Sequence, residues 1–299
     1  MVKETDLMFS VEVTTYNQKD YVAQTLQSIL DQKHNYKYEI LISDDCSSDG
    51  TQDVIKEFHS KYPDIIKPVY NEKNLGPMQN YYATIARAKG KYLMDCAGDD
   101  CWLPGKVETQ IQFMEQNQGF DYCYGIAKLY DTKNEIIVSE FGKNYLDFKD
   151  ILTIGNECPA LTGCIRREFL RKYLEEIKPQ QRDWLMEDYP FLIYAAYNTK
   201  MYFIDKPMAV YRVVENSISH QTNIDKKLRY EQSVYDVKKF FADKYNVQIP
   251  AFDINQERKK ILNEKSFIHK SLKLFKNIIK AFIPYGLIKI INHKKNDEE

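Results

Sequence analysis

The chain has 299 residues, of which 43% are hydrophobic, and its formal net charge at pH 7 is −1. This length and composition allow one large domain or two small ones, each with its own hydrophobic core. A charge near zero argues against a protein whose whole surface binds nucleic acid. The 23 tyrosines suit either a surface that contacts sugars or bases or ordinary core packing, and composition leaves both open.

Six cysteines occur without the spacing of a metal site, because none forms a CxxC pair and no group of histidines accompanies them. They are Cys46, Cys96, Cys101, Cys123, Cys158 and Cys164. In a chain of this length they indicate reduced thiols and a cytoplasmic protein. The first residues lack the pattern of a signal peptide, and no uninterrupted apolar run reaches about 18 residues. We therefore expect neither secretion nor a transmembrane helix.

The first hundred residues alternate between strand-like and helix-like segments. The predicted strands cover residues 7–17, 38–45, 65–71 and 91–100, and the predicted helices cover residues 21–32, 47–62 and 76–90. Strands that alternate with helices of this length indicate βαβ units and a mostly parallel sheet. In such sheets ligands bind beyond the carboxyl ends of the strands, so we expect a site at that edge.

The middle of the chain is less regular. Its patterns predict a helix over 103–117, a hairpin with its turn near 132–134, an extended and then helical stretch over 158–177, a loop and buried helix over 183–199, and two short strands over 200–213. No internal repeat or low-complexity segment interrupts this part.

The C-terminal tail is basic and amphipathic. Between residues 257 and 295 it carries eleven Lys and Arg residues against two acidic ones. As a helix, one face would hold Ile268, Leu272, Phe275, Ile279, Phe282 and Ile283, and the opposite face Lys270, Lys273, Lys276 and Lys280. Such a helix suits an anionic membrane surface. The same pattern suits a helix packed on the protein with its lysines in water, and this alternative stays open.

Two pairs of adjacent aspartates, Asp44–Asp45 and Asp99–Asp100, follow predicted strands. Like charges held close raise each other's pKa, so such pairs fit a place where a cation or a hydrogen-bond donor lies between them. Mg²⁺ and Mn²⁺ prefer carboxylate oxygens and usually bind through one or two of them together with substrate phosphates. One aspartate of each pair could instead cap the next helix, and for nearby Asp49 capping is the favoured prediction.

Several common catalytic motifs are missing from the sequence. No GxGxxG follows the first strand, which disfavours dinucleotide binding of the usual type. The sequence also contains no phosphate-binding loop, no GxSxG and no HExxH motif. The two aspartate pairs are therefore the main chemical signal.

Four segments together resemble family 2 glycosyltransferases with the GT-A fold, the group that builds bacterial surface polysaccharides. They are VEVTTYNQKDYVAQTLQSIL, YEILISDDCSSDGTQDVI, NEKNLGPMQNYYATIARAKGKYLMDCAGDDCWLPGKVETQIQFM and MEDYPFLIYAAY. The resemblance covers about residues 9–118 and resumes over 158–219. It implies an α/β fold with a Rossmann-like, mostly parallel sheet flanked by helices. It also implies a nucleotide-sugar-binding half over 1–105, an acceptor-binding half over 106–222 and a helical C-terminal extension over 223–299.

The resemblance assigns donor-binding roles residue by residue. Thr14, Tyr16 and Asp45 match positions that hold the uracil ring, Tyr16 by stacking and Asp45 by accepting a hydrogen bond from the ring N–H. Asp99 matches a contact to the ribose or the metal. Asp100 matches the ligand of the Mn²⁺ or Mg²⁺ that bridges the diphosphate.

The match is not complete in every part of the donor site. Ala97 stands where many relatives carry the first aspartate of the metal-binding motif, which leaves Asp99 and Asp100 to bind the cation. Asp44 matches a position that is often structural. Asn74 and Gly76 match a loop near the donor.

The segment WLMEDYPFL carries the implied acid–base chemistry. Inverting transfer needs a base that deprotonates the acceptor hydroxyl, and the resemblance makes Asp188 that base and Glu187 its helper or an acceptor contact. Capping of the following helix by Asp188 is the alternative. Trp184 either stacks on a sugar or belongs to the core. Arg212 either contacts the diphosphate or pairs with a surface acid.

The resemblance therefore implies an inverting transfer of sugar from a nucleotide sugar, expected to be a UDP-sugar, to a glycan acceptor, expected to be lipid-linked. The tail would hold the enzyme at the inner face of the cytoplasmic membrane. His220 is a further candidate contact to metal or phosphate. One alternative is a non-catalytic module that binds a sugar nucleotide or glycan. A nucleotidyl or phosphoryl transferase is disfavoured because no phosphate-binding loop is present.

Overall fold

The computed structural model describes residues 7–145, 147–155, 157–214 and 223–263. One compact unit contains the described residues up to 214 together with 233–250, and a second contains 223–232 together with 251–263. The proposed boundaries after residues 105 and 222 stay predictions.

Nine strands form one sheet in the described part of the chain. They are β1 (Phe9–Thr15), β2 (Tyr38–Asp44), β3 (Ile66–Tyr70), β4 (Tyr92–Asp95), β5 (Cys101–Trp102), β6 (Phe120–Asp131), β7 (Ile136–Phe141), β8 (Cys164–Arg166) and β9 (Lys200–Val213). Their order is β3-β2-β1-β4-β8-β6-β9-β5, and β7 pairs with the outer part of β6. The first four are mutually parallel, whereas β8 pairs antiparallel with both neighbours.

Helices lie between the strands. They are α1 (Lys19–Leu30), α2 (Thr51–Lys61), α3 (Pro77–Ile85), α4 (Lys106–Gln116), α5 (Phe148–Ile154), α6 (Arg167–Ile177), α7 (Asp188–Asn198) and α8 (Ile224–Tyr245). Residues 254–263 are also helical. The prediction of an α/β fold with helices flanking the sheet and further helices near the C-terminus is confirmed, and the parallel part lies where the alternating pattern predicts it.

Two hydrophobic cores stabilise the first unit, and the alternation of side chains along the strands assigns residues to them. Val11, Val13 and Met94 belong to one core, which includes the buried face of α1. Leu93 belongs to the other core, which contains residues of α3, α6 and α7. Full burial of one such aliphatic side chain contributes about 1.5–3 kcal/mol, so these periodic positions account for much of the stability.

Two predicted features differ or fall outside the described structure. The segment 200–213 forms one continuous strand, β9, and not two short ones. Its pairing register with β6 shifts along the way, but the pairing continues on both sides of each shift. The membrane-binding face predicted for the tail lies outside the described residues. Within the part that the structure describes, no helix has the length and apolar character needed to cross a bilayer.

Candidate active site

The turn after β2 is held by Asp49, which binds the first turns of two helices. Its Oδ1 accepts hydrogen bonds from the N–H (2.9 Å) and the hydroxyl (2.6 Å) of Thr51, and its Oδ2 accepts from the N–H of Lys19 (3.0 Å). Thr51 and Lys19 begin α2 and α1, where N–H groups lack partners within the helix. The capping prediction for Asp49 is therefore confirmed, and it extends to a second helix.

Asp44 is fully buried at the end of β2 and supports the same turn. Its Oδ2 accepts hydrogen bonds from the N–H of Ser47 (2.9 Å) and from Nε2 of Gln52 (2.7 Å). Its Oδ1 is buried without a hydrogen-bond partner among the described residues. These contacts agree with the structural role that the resemblance implies for Asp44.

Asp45 holds the loop that leads into α3. Its Oδ1 accepts hydrogen bonds from Nδ2 of Asn71 (3.0 Å) and the N–H of Leu75 (2.8 Å), and its Oδ2 accepts from the N–H of Gly76 (2.9 Å). Gly76 has a φ of +82°, a backbone conformation that glycine adopts readily. Three of the roughly four lone-pair sites of this carboxylate are thus used within the protein.

The remaining residues predicted for the uracil ring are both near the end of β1. The side chain of Tyr16 is 50% exposed, which leaves its ring available to a ligand. Thr14 is partly buried and lies in β1 opposite Ser43 of β2. Asn74, from the predicted donor loop, accepts a hydrogen bond at its Oδ1 from the N–H of Gly76 (2.9 Å).

The loop after β4 approaches β1 closely at Gly98. A Cβ at this position would lie 2.4 Å from Oε1 of Gln18 and 2.6 Å from Cβ of Thr15. The Oε1 of Gln18 and the Oγ1 of Thr15 are buried without hydrogen-bond partners in the described chain. Buried polar atoms usually find partners, so their convergence here indicates a place that a polar ligand or water completes.

Asp99, Asp100 and Arg212 form one network. The backbone N–H of Arg212 donates to Oδ1 of Asp100 (2.9 Å), and its Nη1 donates to the carbonyl of Asp99 (2.9 Å). Its Nη2 donates to Oε1 of Gln24, and its guanidinium lies 5.6 Å from the centre of the Tyr21 ring. Arg212 is 9% exposed, so its guanidinium lies largely inside the protein.

The carboxyls of Asp99 and Asp100 fit a divalent cation. Burial, and then the charge of Asp99, raise the pKa of Asp100 well above its usual range, and burial raises the pKa of Asp99. A cation between them would remove this repulsion. Among the described residues, no three Asp, Glu, His or Cys side chains gather to hold a metal. This donor set therefore suits Mg²⁺ or Mn²⁺, which complete their coordination with water and substrate phosphates.

Glu187 and Asp188 lie at the start of α7. Asp188 is the first helical residue, and its Oδ1 accepts a hydrogen bond from the N–H of Tyr189 (2.6 Å). Burial, then the charge of Asp188 and that of Asp95, raise the pKa of Glu187 to about 8. A carboxyl group with a pKa near neutrality suits general acid–base chemistry.

Trp184 belongs to the hydrophobic core, which decides between its two predicted roles. It is 7% exposed and packs against the ring of Phe240 at 5.4 Å between centroids. The guanidinium of Arg182 lies 4.9 Å from the Trp184 ring. This indole therefore has no free face for a sugar. His220, the other aromatic candidate, lies outside the described residues.

Three charged residues near the site were not predicted, two of them buried and the third, Asp95, partly buried. Glu12 is 2% exposed in β1, Lys106 is 1% exposed in α4, and Asp95 ends β4. The Nζ of Lys106 donates to Oε1 of Gln110 (2.8 Å) and lies 4.3 Å from the centre of the Trp102 ring. One signal was available for Glu12, because an acidic residue interrupts an otherwise apolar β-branched strand.

The comparison with known families agrees with this arrangement. The family model described as glycosyl transferase family 2 matches residues 10–177, more than half of the chain. The chain belongs to glycosyl transferase family 2. It is 29% identical over 213 residues to the putative teichuronic acid biosynthesis glycosyltransferase TuaG of Bacillus subtilis, which covers 71% of this chain and 81% of TuaG.

Solved structures share the GT-A fold of this family member. The S. aureus TarS 1–349 structure in complex with UDP matches with a TM-score of 0.57 and 18% identity, over 86% of this chain and 70% of TarS. The mannosyltransferase PcManGT of Pyrobaculum calidifontis, in complex with GDP-Man and Mn²⁺, matches with a TM-score of 0.55 and 15% identity, over 98% and 80% of the two chains.

Some relatives are much longer than the matched part. An uncharacterized protein of Mycobacterium bovis is 30% identical over 116 residues, which are 38% of this chain and 34% of that protein. The chain thus spans about a third of the length of that relative.

Proposed function

We propose that this family 2 glycosyltransferase transfers a sugar, with inversion, from a nucleoside diphosphate sugar to a glycan acceptor in the synthesis of a cell-surface polysaccharide. The observation that carries this proposal is the network of Asp99, Asp100 and Arg212, which places two carboxyls and a buried guanidinium at one loop. A carboxylate pair for a cation and an arginine for phosphate are what a diphosphate requires.

The donor is expected to be a UDP-sugar. TarS binds UDP in its solved structure, and the exposed ring of Tyr16 is available to stack on a base. Asp99 and Asp100 would hold Mn²⁺ or Mg²⁺, and the bound cation would offset the negative charge on the departing diphosphate. Arg212, whose guanidinium donates to the carbonyl of Asp99, would orient the same phosphates.

Asp188, assisted by Glu187, is the proposed base. It would accept the proton of the acceptor hydroxyl as that oxygen forms its bond to the anomeric carbon and the bond to the diphosphate breaks. The raised pKa of Glu187 supports a site able to hold a proton near neutral pH. The acceptor is expected to be a glycan, in keeping with the name of TuaG, which refers to teichuronic acid biosynthesis. That it is lipid-linked at the inner face of the cytoplasmic membrane is a further part of the proposal.

A thermal-shift panel tests the donor site. The protein is heated with UDP, GDP, dTDP, CMP or NAD, each with and without Mn²⁺, because a ligand that binds only the native state raises the unfolding temperature. Stabilisation by UDP that requires Mn²⁺ is the expected result. Absence of a shift with every nucleotide would contradict the proposal and favour the non-catalytic glycan-binding alternative.

A further inference from the structure

Glu12 and Asp95 are direct neighbours on two parallel strands. The register of β1 and β4 pairs Glu12 with Asp95, and neighbouring strands lie about 4.8 Å apart. Val11 and Val13 on one strand, and Met94 on the other, face the opposite core. The two carboxyl side chains therefore leave the sheet on the same side, next to each other.

Neither carboxyl group is fully hydrogen-bonded. Oε1 of Glu12 and Oδ1 of Asp95 are buried and have no partner within the described ranges. Two buried carboxylates at this spacing repel each other. A single proton relieves the repulsion, because it turns one carboxyl into a donor for the oxygen of the other. The pair thus has one chemically sensible state near neutral pH, with one proton and one negative charge.

The surroundings of the pair contain acidic and basic groups in equal number. Seven titratable or charged groups interact electrostatically with Glu12 or Asp95. They are Glu187, Asp188, Arg87, Lys106, Tyr81, Tyr122 and Cys96. Beyond the pair itself, the two carboxyls Glu187 and Asp188 are matched by the two cations Arg87 and Lys106. Burial, followed by the charge of Asp95, raises the pKa of Glu12 well above its usual range, and burial raises the pKa of Asp95 to about 7.

The start of α7 lies on the same side of the sheet as the pair. Leu93, two residues before Asp95, belongs to the same core as Met186 and Tyr189, which flank Glu187 and Asp188. The charge of Asp188 acts on Asp95, and the charge of Glu187 acts on Glu12. The pair and the proposed base are therefore electrostatic neighbours.

The geometry points to Glu12 and Asp95 as a carboxyl pair that shares one proton and, through its remaining negative charge, raises the proton affinity of Glu187 and Asp188. This inference rests on the proposed role of Glu187 and Asp188 as the base. Neither Glu12 nor Asp95 needs to touch the substrate, so both are positioning residues. Their negative charge makes the base a better acceptor for the proton that leaves the acceptor hydroxyl as the new glycosidic bond forms.

Carboxyl titration by NMR tests the inference without any donor or acceptor. The protein is labelled with ¹³C at the side-chain carboxyls of Glu and Asp, and Glu12, Asp95 and Glu187 are assigned from E12Q, D95N and E187Q. In the wild type we expect one proton on the Glu12–Asp95 pair at pH 8, above the pKa of about 7 for Asp95, and a midpoint near 8 for Glu187. Two ionised groups, or two neutral ones, at pH 8 would overturn the shared-proton pair.

Two variants separate the charge of the pair from its shape. E12Q replaces a protonated carboxyl by a neutral amide, so the negative charge stays on Asp95 and the Glu187 midpoint should stay near its wild-type value. The double variant E12Q/D95N has no charge, and the Glu187 midpoint should fall by on the order of one pH unit. An unchanged midpoint in the double variant, or an equal shift in E12Q, would sink the inference.

The outcome remains interpretable whatever the variants do. If the double variant does not fold, the wild-type titration and E12Q still decide whether the pair holds one proton. Failure of UDP and Mn²⁺ to stabilise the protein would remove the proposed function but leave the titration of Glu187 unaffected. A normal nucleotide response with an unperturbed Glu187 would instead remove only the role of the pair.

Discussion

The backbone N–H of Arg212 donates to Oδ1 of Asp100 at 2.9 Å, although the two residues are 112 positions apart in the chain. This bond joins the end of β9 to the loop that follows β4, and the side chain of Arg212 reinforces it through the carbonyl of Asp99. The proposed cation and phosphate contacts would therefore depend on the position of β9 between β6 and β5 in the sheet.

Replacement of Asp100 tests the cation site. D100N removes a negative charge but keeps the oxygen that accepts from Arg212, so the fold should persist. Loss of a metal's supporting contact costs about 10–100-fold in affinity, and we expect at least about that loss for a direct ligand. Calorimetric titration with Mn²⁺ in the presence of UDP measures the affinity for the cation. The matched control is D53N, at an exposed position of α2. Equal Mn²⁺ affinity in D100N and wild type would disprove the assignment.

Replacement of Asp188 separates binding from chemistry. D188N should bind donor as the wild type does, and its rate of sugar transfer or donor hydrolysis should fall by roughly 10²–10⁴-fold because proton acceptance is lost. Product formation and donor affinity are measured on the same preparation. The exposed neighbour Asp183 supplies the control D183N, which should retain the wild-type rate. If D188N turned over at that rate too, another group would be the base.

A methyl group at residue 98 should destabilise the fold. In G98A the new Cβ would meet Gln18 and Thr15 at less than 3 Å, and overpacking of this kind typically costs about 1–3 kcal/mol. Chemical denaturation measures the free energy of unfolding. G119A is the control, because no atom lies within 4 Å of a Cβ built at Gly119. Equal losses in the two variants would contradict the close approach at Gly98.

Lys106 should make stability depend on alkaline pH. Burial lowers its pKa to about 8 from 10.5, so the folded state releases its proton before the unfolded chain does. Below about pH 8 the lysine is charged in both the folded and the unfolded state, and its burial lowers the free energy of unfolding. Above that pH the folded state loses the charge first, so the free energy of unfolding rises until the lysine of the unfolded chain also titrates. The wild-type unfolding temperature, relative to that of K106M, should therefore rise from pH 8 to pH 10.

Exposed Lys56 provides the control for this measurement. K56M removes a surface lysine whose side chain is 57% exposed, so it shows what the loss of an exposed lysine does to the unfolding temperature over the same pH range. A difference between wild type and K106M that stays constant from pH 8 to pH 10 would contradict the lowered pKa of Lys106.

Local sequence patterns were sufficient to predict the features that depend on residues close together in the chain. The alternation of strands and helices, the hairpin, and capping by Asp49 follow from the spacing of apolar residues and from the hydrogen-bonding capacity of a short acidic side chain. The continuity of β9 was not predictable from its own sequence, because β6 supplies the partner that carries it across its irregular middle.

Contacts within the site were harder to predict because strand order creates them. Glu12 and Asp95 are 83 positions apart and become neighbours only when β4 docks beside β1. The sequence left open whether Trp184 stacks on a sugar or belongs to the core. Its contact with Phe240 of α8, 56 positions further along the chain, indicates the core. The resemblance identified the aspartates of the site, but it did not predict that the loop before α3 already engages Asp45.

If Asp45 binds the base as proposed, its contacts within the protein would affect the thermodynamics of that recognition. In the free protein its carboxylate already receives three hydrogen bonds from residues of the loop before α3. A base that donates to the same oxygens would mainly exchange one partner for another, so this contact should release little heat. Its contribution would be selectivity, since a base without a suitably placed N–H would leave the loop where it is, whereas a matching one would displace it.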